Sequence, residues 1–127
     1  SEVLEVYKGI DDFMVVLEDE AAIANNNPDF SLIKSMDSRG LIITAKGEEV
    51  DFVSRWYGPQ TGINEDPATG SAHALLATYW SKILDKSEMS ARQLSKRAGH
   101  LKCEVKDDLV EITGEAKLYL IGTLQFD

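Results

Sequence analysis

Thr69-Gly70-Ser71-Ala72-His73-Ala74-Leu75-Leu76-Ala77-Thr78-Tyr79-Trp80-Ser81-Lys82-Ile83-Leu84 is the stretch on which the fold turns. Its length and composition are those of a helix, and it carries almost no charge before Lys82. A surface helix shows a polar stripe, whereas one that is apolar or small all round is buried. Gly70, Ser71, Ala72, Ala74 and Ala77 would let strands approach closely on every side. The stretch therefore predicts a central helix with sheet wrapped around it.

The remainder alternates with period two, the mark of half-buried strands. Leu4-Glu5-Val6-Tyr7 and Phe13-Met14-Val15-Val16-Leu17 flank a turn containing Gly9, Asp11 and Asp12, which reads as a hairpin. Asp19 is placed to cap a short helix running to Asn25, and Asn27-Pro28-Asp29 opens another with Pro28 at its first helical position and Leu32 and Ile33 facing inward. Residues 40–46 and 50–57 read as strands, and 90–94 as a weaker one. Leu101, Cys103 and Val105 alternate with Lys102, Glu104 and Lys106, Asp107-Asp108 turns into 109–113, and Leu118, Leu120, Leu124 and Phe126 share one face of a terminal strand. About seven strands around one helix let every strand bury a face. The expected fold is α+β: a single domain over 1–127, a mostly antiparallel curved sheet or barrel around one buried central helix.

With 127 residues, 43 % apolar and 28 % charged, the chain has the composition of an ordinary globular domain. Its apolar runs, such as Gly40-Leu41-Ile42-Ile43, are too short to cross a bilayer. No basic, then apolar, then small-residue leader opens it, and it begins with Ser1, as a trimmed or excised piece would. A cytoplasmic location is expected. The formal net charge of −9 repels phosphate backbones, so nucleic acid is not an expected partner. Arg92, Lys96, Arg97 and Lys102 do cluster, but Glu88 and Glu104 stand among them. Cys103 has no second thiol for a disulfide or metal site and reads as a small core residue.

The chemistry is concentrated in Gly62-Ile63-Asn64-Glu65-Asp66-Pro67-Ala68-Thr69-Gly70-Ser71-Ala72-His73, which joins the strand ending in Arg55-Trp56-Tyr57 to the buried helix. The first turn of a helix has N–H groups without internal partners and a partial positive charge. Here those donors belong to Thr69, Gly70, Ser71 and Ala72, with hydroxyls on Thr69 and Ser71, so a substrate carboxylate finds a ready site. Glu65 and Asp66 precede it, and adjacent side chains of an extended segment point to opposite sides. Asp66, nearer the helix, is the candidate acid–base group, and the helix dipole favours its ionised form. By residue type alone the same positions read first as an N-cap and an Asp-Pro turn, ahead of catalysis, and His73 as a core histidine, while Trp56 and Tyr57 read as core or pocket wall.

That twelve-residue string closely resembles the signature of the PhzF-like isomerase family. So do Asp51-Phe52-Val53-Ser54-Arg55-Trp56-Tyr57-Gly58-Pro59, Ser90-Ala91-Arg92-Gln93-Leu94-Ser95, Arg97-Ala98-Gly99-His100-Leu101, Asn27-Pro28-Asp29-Phe30 and Arg39-Gly40. The resemblance implies a diaminopimelate-epimerase-like fold, with two similar domains and an active site in the cleft between them. It implies isomerisation by proton transfer, in the reference case of a dihydro-hydroxyanthranilate, without metal or organic cofactor. By motif, Asp66 matches an active-site carboxylate, Gly70 and Ser71 match groups that hold the substrate carboxylate, and Thr69, Ala72 and His73 complete the candidate substrate-binding set. Thiol-based racemisation is not implied, since in the related epimerases a cysteine stands roughly where Asp66 does. Two departures are Ala98, where the family usually has a second glycine, and the missing N-terminal domain with its catalytic glutamate. The partners implied are a small carboxylate substrate and that N-terminal domain, or a second copy of the chain in its place. The alternative reading is a binding or protein-interaction module that holds a carboxylate without chemistry.

Overall fold

The period-two runs become β1 (Val3–Lys8), β2 (Asp12–Leu17), β3 (Gly40–Lys46), β4 (Phe52–Gly58), β5 (Ile63–Asp66), β6 (Glu88–Gln93), β7 (Gly99–Lys106), β8 (Leu109–Gly114) and β9 (Lys117–Thr123). The computed structural model describes residues 3–9, 12–66, 70–94, 99–106, 109–114 and 117–123, with backbone alone at 63, 66, 70, 71 and 117–123. The strands form one curved, unclosed sheet in the order β1-β2-β3-β4-β6-β7-β8-β9, with β5 beside β4. Two pairings are parallel, β2 with β3 and β4 with β6, and the other described pairings are antiparallel. The expected α+β architecture is the one found. The strand beyond expectation is β5, in the segment read only as extended, and the weak candidate at 90–94 is the full strand β6.

The apolar stretch at 69–84 forms α3 (Gly70–Leu84), against the inner face of the sheet. Ala72, Leu76, Ala77 and Trp80 pack there with Met14, Val16, Ile42, Phe52, Trp56, Met89, Leu101, Cys103, Val110 and Ile112. Each fully buried large aliphatic side chain contributes about 1.5–3 kcal/mol. Trp80 lies parallel to Phe52 at 5.9 Å, and its Nε1–H donates to Thr44 Oγ1 at 3.0 Å. Thr44 in turn donates to the Val53 carbonyl at 2.7 Å, so the buried indole and hydroxyl leave no polar hydrogen unused. The helix is not buried all round, however. Leu75, Thr78 and Tyr79 are half-buried and Ile83 is 55 % exposed, because the sheet does not close over that side.

A smaller layer covers the outer face of β3 and β4: α1 (Glu20–Ala24) and α2 (Phe30–Lys34). Asp19 caps α1, its carboxylate accepting from the Ala22 N–H at 2.8 Å. Asp29, rather than a residue before Pro28, caps α2, so Pro28 lies ahead of the cap and not at the first helical position. Ile33 is buried under α2, but Leu32 points outward at 66 % exposed. With both faces covered, β3 carries apolar residues on both sides, and β4 does so except at Ser54 and Arg55. Over β6, β7 and β8 the alternation is clean: Met89, Ala91, Leu101, Cys103, Val110 and Ile112 face in, while Glu88, Lys102 and Glu111 face out. Leu124 and Phe126, expected on the last strand, lie outside the described residues.

Two local constraints set the geometry around β4. The Trp56 ring lies across Gly58, where an added Cβ would come within 2.0 Å of Trp56 Cη2. Gly62, at φ 90°, closes a 3-10 turn (Pro59–Thr61) in the left-handed conformation that glycine takes without cost, and turns the chain into β5. Gly58→Ala is therefore expected to lower stability by roughly 1–3 kcal/mol, read as a shift of the urea midpoint; an unchanged midpoint would show that Trp56 can move aside freely.

Asp51 ties the β3–β4 hairpin to β6. Its carboxylate accepts from Lys86 Nζ at 2.6 Å and from the Ser90 N–H at 2.8 Å. Burial works against its charge, but Lys86 and Ser90 outweigh that and hold the carboxyl below its ordinary 3.8. A lowered value in the folded state contributes stability above pH 3.8, which is lost as the pH falls through the folded value. Asp51→Asn should remove that contribution at pH 7 and flatten the acid limb of a Tm-against-pH curve below about 4. An acid limb identical to that of the parent protein would assign the acid sensitivity to other groups.

Candidate functional site

The register brings one end of four strands together. Asp12 pairs with Gly40, Leu41 with Tyr57, and Trp56 with Asp66. The first turns of α3 lie at this same end. Ala72 packs in the cluster that contains Trp56, and Leu75 Cδ2 sits 3.0 Å from where a Cβ on Gly9 would be. The backbone of Gly70 and Ser71 begins α3; Ala72 and His73 follow, buried at 2 % and 0 % exposed. His73 lies 6.0 Å from the Phe52 ring. Thr69, with Pro67 and Ala68, lies outside the described residues.

Glu65 and Asp66 occupy successive, opposite-facing positions of β5. Glu65 pairs in register with Tyr57 on the outer side, and its carboxylate takes two hydrogen bonds of 2.8 Å from Arg55, at Nε and Nη2. This is the bidentate, charge-assisted geometry that arginine offers a carboxylate. Arg55 Nη1 donates onward to the carbonyls of Ile23 at 3.2 Å, in the last turn of α1, and of Asn26 at 2.9 Å, just beyond it. The guanidinium stands over the Tyr57 ring at 5.1 Å, and Tyr57 Oη donates to Asn26 Oδ1 at 3.0 Å. The hydrogen bonds that Arg55 donates to Glu65 raise the Arg55 value above its ordinary one, and burial raises that of Tyr57. Position 66 is the register partner of Trp56, on the inner side where α3 begins.

Sequence reasoning missed a second buried group at this end. Asp12, read as a turn residue, instead starts β2 and is 7 % exposed. One carboxylate oxygen accepts from Trp56 Nε1 at 3.1 Å, the other from Arg39 Nη2 at 3.0 Å, and the Arg39 guanidinium lies 5.6 Å above the Trp56 ring. The available signal was Arg39-Gly40 at the start of a strand parallel to β2. Trp56 and Tyr57 thus divide between faces: Trp56 joins the inner core and Tyr57, fully buried, the outer one.

Cys103 is buried as expected, at 1 % exposed, and burial pushes its thiol up to about 12. A thiol so placed is a poor nucleophile. It should resist Ellman's reagent at pH 8 in the folded protein and react fully in urea; rapid reaction of the folded protein would contradict its place in the core. Among the described residues, no group of three His, Cys, Asp or Glu side chains is arranged to hold a metal ion. None of the described helices is long and apolar enough to cross a membrane.

Residues 3–122 match the family described as phenazine biosynthesis-like protein. Among relatives, the chain is 50 % identical over 114 residues to an uncharacterized isomerase of Pseudomonas aeruginosa, covering 90 % of this chain and 44 % of that protein. It is 45 % identical over 112 residues to phenazine biosynthesis-like domain-containing protein 1 of Mus musculus, covering 83 % of this chain and 39 % of that one. A crystal structure of a phenazine biosynthesis protein of the PhzF family from Enterococcus faecalis superposes with a TM-score of 0.85 at 46 % identity, over 98 % of this chain and 48 % of that one. The chain thus spans somewhat less than half the length of these relatives.

Proposed function

The chain belongs to the phenazine biosynthesis-like family, and from that membership and the geometry of β5 and α3 we propose that it is one half of an isomerase acting by proton transfer on a small carboxylic acid. The observation that carries this reading is the two-point hold of Arg55 on Glu65, with the alternation of β5 giving the next position the other face. Glu65 is committed to Arg55 on the outer side, which leaves Asp66 as the carboxylate of the pair at the inner end of β5, ahead of α3.

In this reading Asp66 acts in its ionised form, as base or as orienting acceptor, beside the positive end of the helix. The N–H groups of Thr69, Gly70, Ser71 and Ala72, with the hydroxyls of Thr69 and Ser71, hold the substrate carboxylate, and His73 completes the binding set one turn further in. A proton leaves one carbon, the C–H electron pair shifts into the adjacent unsaturated system, and a proton is returned at a second carbon. Nothing is oxidised or reduced, so the step needs no external oxidant or reductant. The second acid–base group comes from the other half of the protein, as the length of the relatives suggests. The docking face for that half would include β1, where Val3, Leu4 and Val6 are 53 %, 54 % and 60 % exposed. The cytoplasm is the proposed setting.

In a two-domain protein carrying this chain, Asp66→Asn is expected to lower turnover by roughly 10²- to 10⁴-fold with an unchanged melting temperature. The assay is deuterium uptake at carbon from D₂O, followed by proton NMR, on the dihydro-hydroxyanthranilate and other small unsaturated acids. Ser71→Ala should chiefly weaken carboxylate binding, measured by calorimetry. Undiminished turnover in the first variant would return Asp66 to a capping role, and binding without any turnover in the parent protein would favour a module that only holds a carboxylate.

A further inference from the structure

β5 has four residues and, among the described strands, pairs only with β4, where the register shifts between Tyr57 and Gly58. A strand so short and so singly paired opens at low free energy unless side chains tie it down. The tie is the Arg55–Glu65 pair, whose side chains are only 13 % and 19 % exposed. Arg55 spans three segments at once: it lies on β4, grips Glu65 on β5 through two nitrogens, and reaches the Ile23 and Asn26 carbonyls with the third. Lysine carries the same charge but has neither the fork nor the reach for this arrangement.

We propose that Arg55 and Glu65 are positioning residues: their pair locks the end of β5 to β4 and to the segment after α1, and so sets where Asp66 stands relative to the start of α3. The inference rests on the reading of Asp66 given above. α3 has its own anchors, Ala72, Leu76 and Trp80 in the inner core, so the clamp acts on Asp66 and not on the helix. Loosening it would separate two properties: ligand holding at the helix start stays, and the placement of Asp66 is lost.

The test uses the ¹⁵N-labelled chain with benzoate as the carboxylate probe, comparing the parent with Arg55→Lys, Glu65→Gln and the control Lys86→Met, which breaks an ion pair elsewhere. The clamp variants should speed amide exchange at Asn64, Glu65 and Asp66 at least tenfold beyond any change in β3 and β7. Benzoate should still shift the Gly70–Ala72 amides, with affinity within roughly threefold of the parent, while its effect on the Asp66 amide disappears. A merely structural role would raise exchange across the sheet in proportion to lost global stability, as in the control; that outcome, or β5 exchange within twofold of the parent, overturns the inference. If benzoate leaves the Gly70–Ala72 amides of the parent unmoved, the carboxylate-site reading fails instead, and the exchange data still decide the clamp.

Discussion

Strand β4 is buried on both faces, and the rest of the molecule is arranged around that constraint. Phe52 and Trp56 enter the inner core under α3, while Val53 and Tyr57 enter the outer core under α1 and α2. A slip of one residue would exchange the two sets. It would drive Arg55 into the apolar interior without Glu65, at a cost no packing gain offsets. The strand is therefore pinned by polar contacts on both sides. Trp56 donates to Asp12 inside, the Val53 carbonyl accepts from Thr44, and Arg55 holds Glu65 outside. These directional contacts single out one register where the ladder hydrogen bonds and the apolar neighbours would tolerate several.

The second consequence concerns α3. A helix wrapped by an open sheet is covered only where strands pass over it. Its Leu76–Trp80 side is sealed, whereas its Tyr79 side meets the ring of Tyr7 at 5.3 Å on strand β1, whose residues are all exposed. The sequence, nearly free of charge on every side of the helix, is suited to more cover than this sheet provides. That surplus agrees with relatives about twice as long as this chain.

Much of this was legible in the sequence. The buried helix announced itself by the lack of a polar stripe, and Cys103 and its strand by strict alternation. Asp19 was recognisable as a cap because capping is local, a matter of three residues. What escaped was non-local. Asp12 looks like any turn aspartate until β3 brings Arg39 beside it and β4 brings Trp56, 44 residues away along the chain. Arg55 gave no hint of its grip on carbonyls at 23 and 26. Leu32 was misplaced because a five-residue helix has too few turns for periodicity to tell its two sides apart. For the site, alternation predicted that Glu65 and Asp66 diverge, and the pairing with Arg55 supplied which way Glu65 goes.

The charges complete the argument. A chain of net charge −9 is an unfavourable host for an anion unless its field is locally reversed. Apart from Asp66 itself, the acidic residues at this end do not add to the problem, because Asp12 and Glu65 are each neutralised by an arginine from another segment. Those pairings also occupy the two guanidiniums that would otherwise be the obvious carboxylate ligands. Glu88, Glu104 and Glu111, aligned across β6, β7 and β8, face outward from the side opposite α3. On the proposed reading, the positive potential that faces Asp66 at the inner end of β5 comes from the first turn of α3, a fixed set of backbone dipoles that needs no side-chain cation and cannot be titrated away. A site built on dipoles suits an acid whose negative charge must be held while a proton moves nearby. On the proposed reading it would hold the carboxylate chiefly through backbone N–H groups, which do not give up their protons to Asp66.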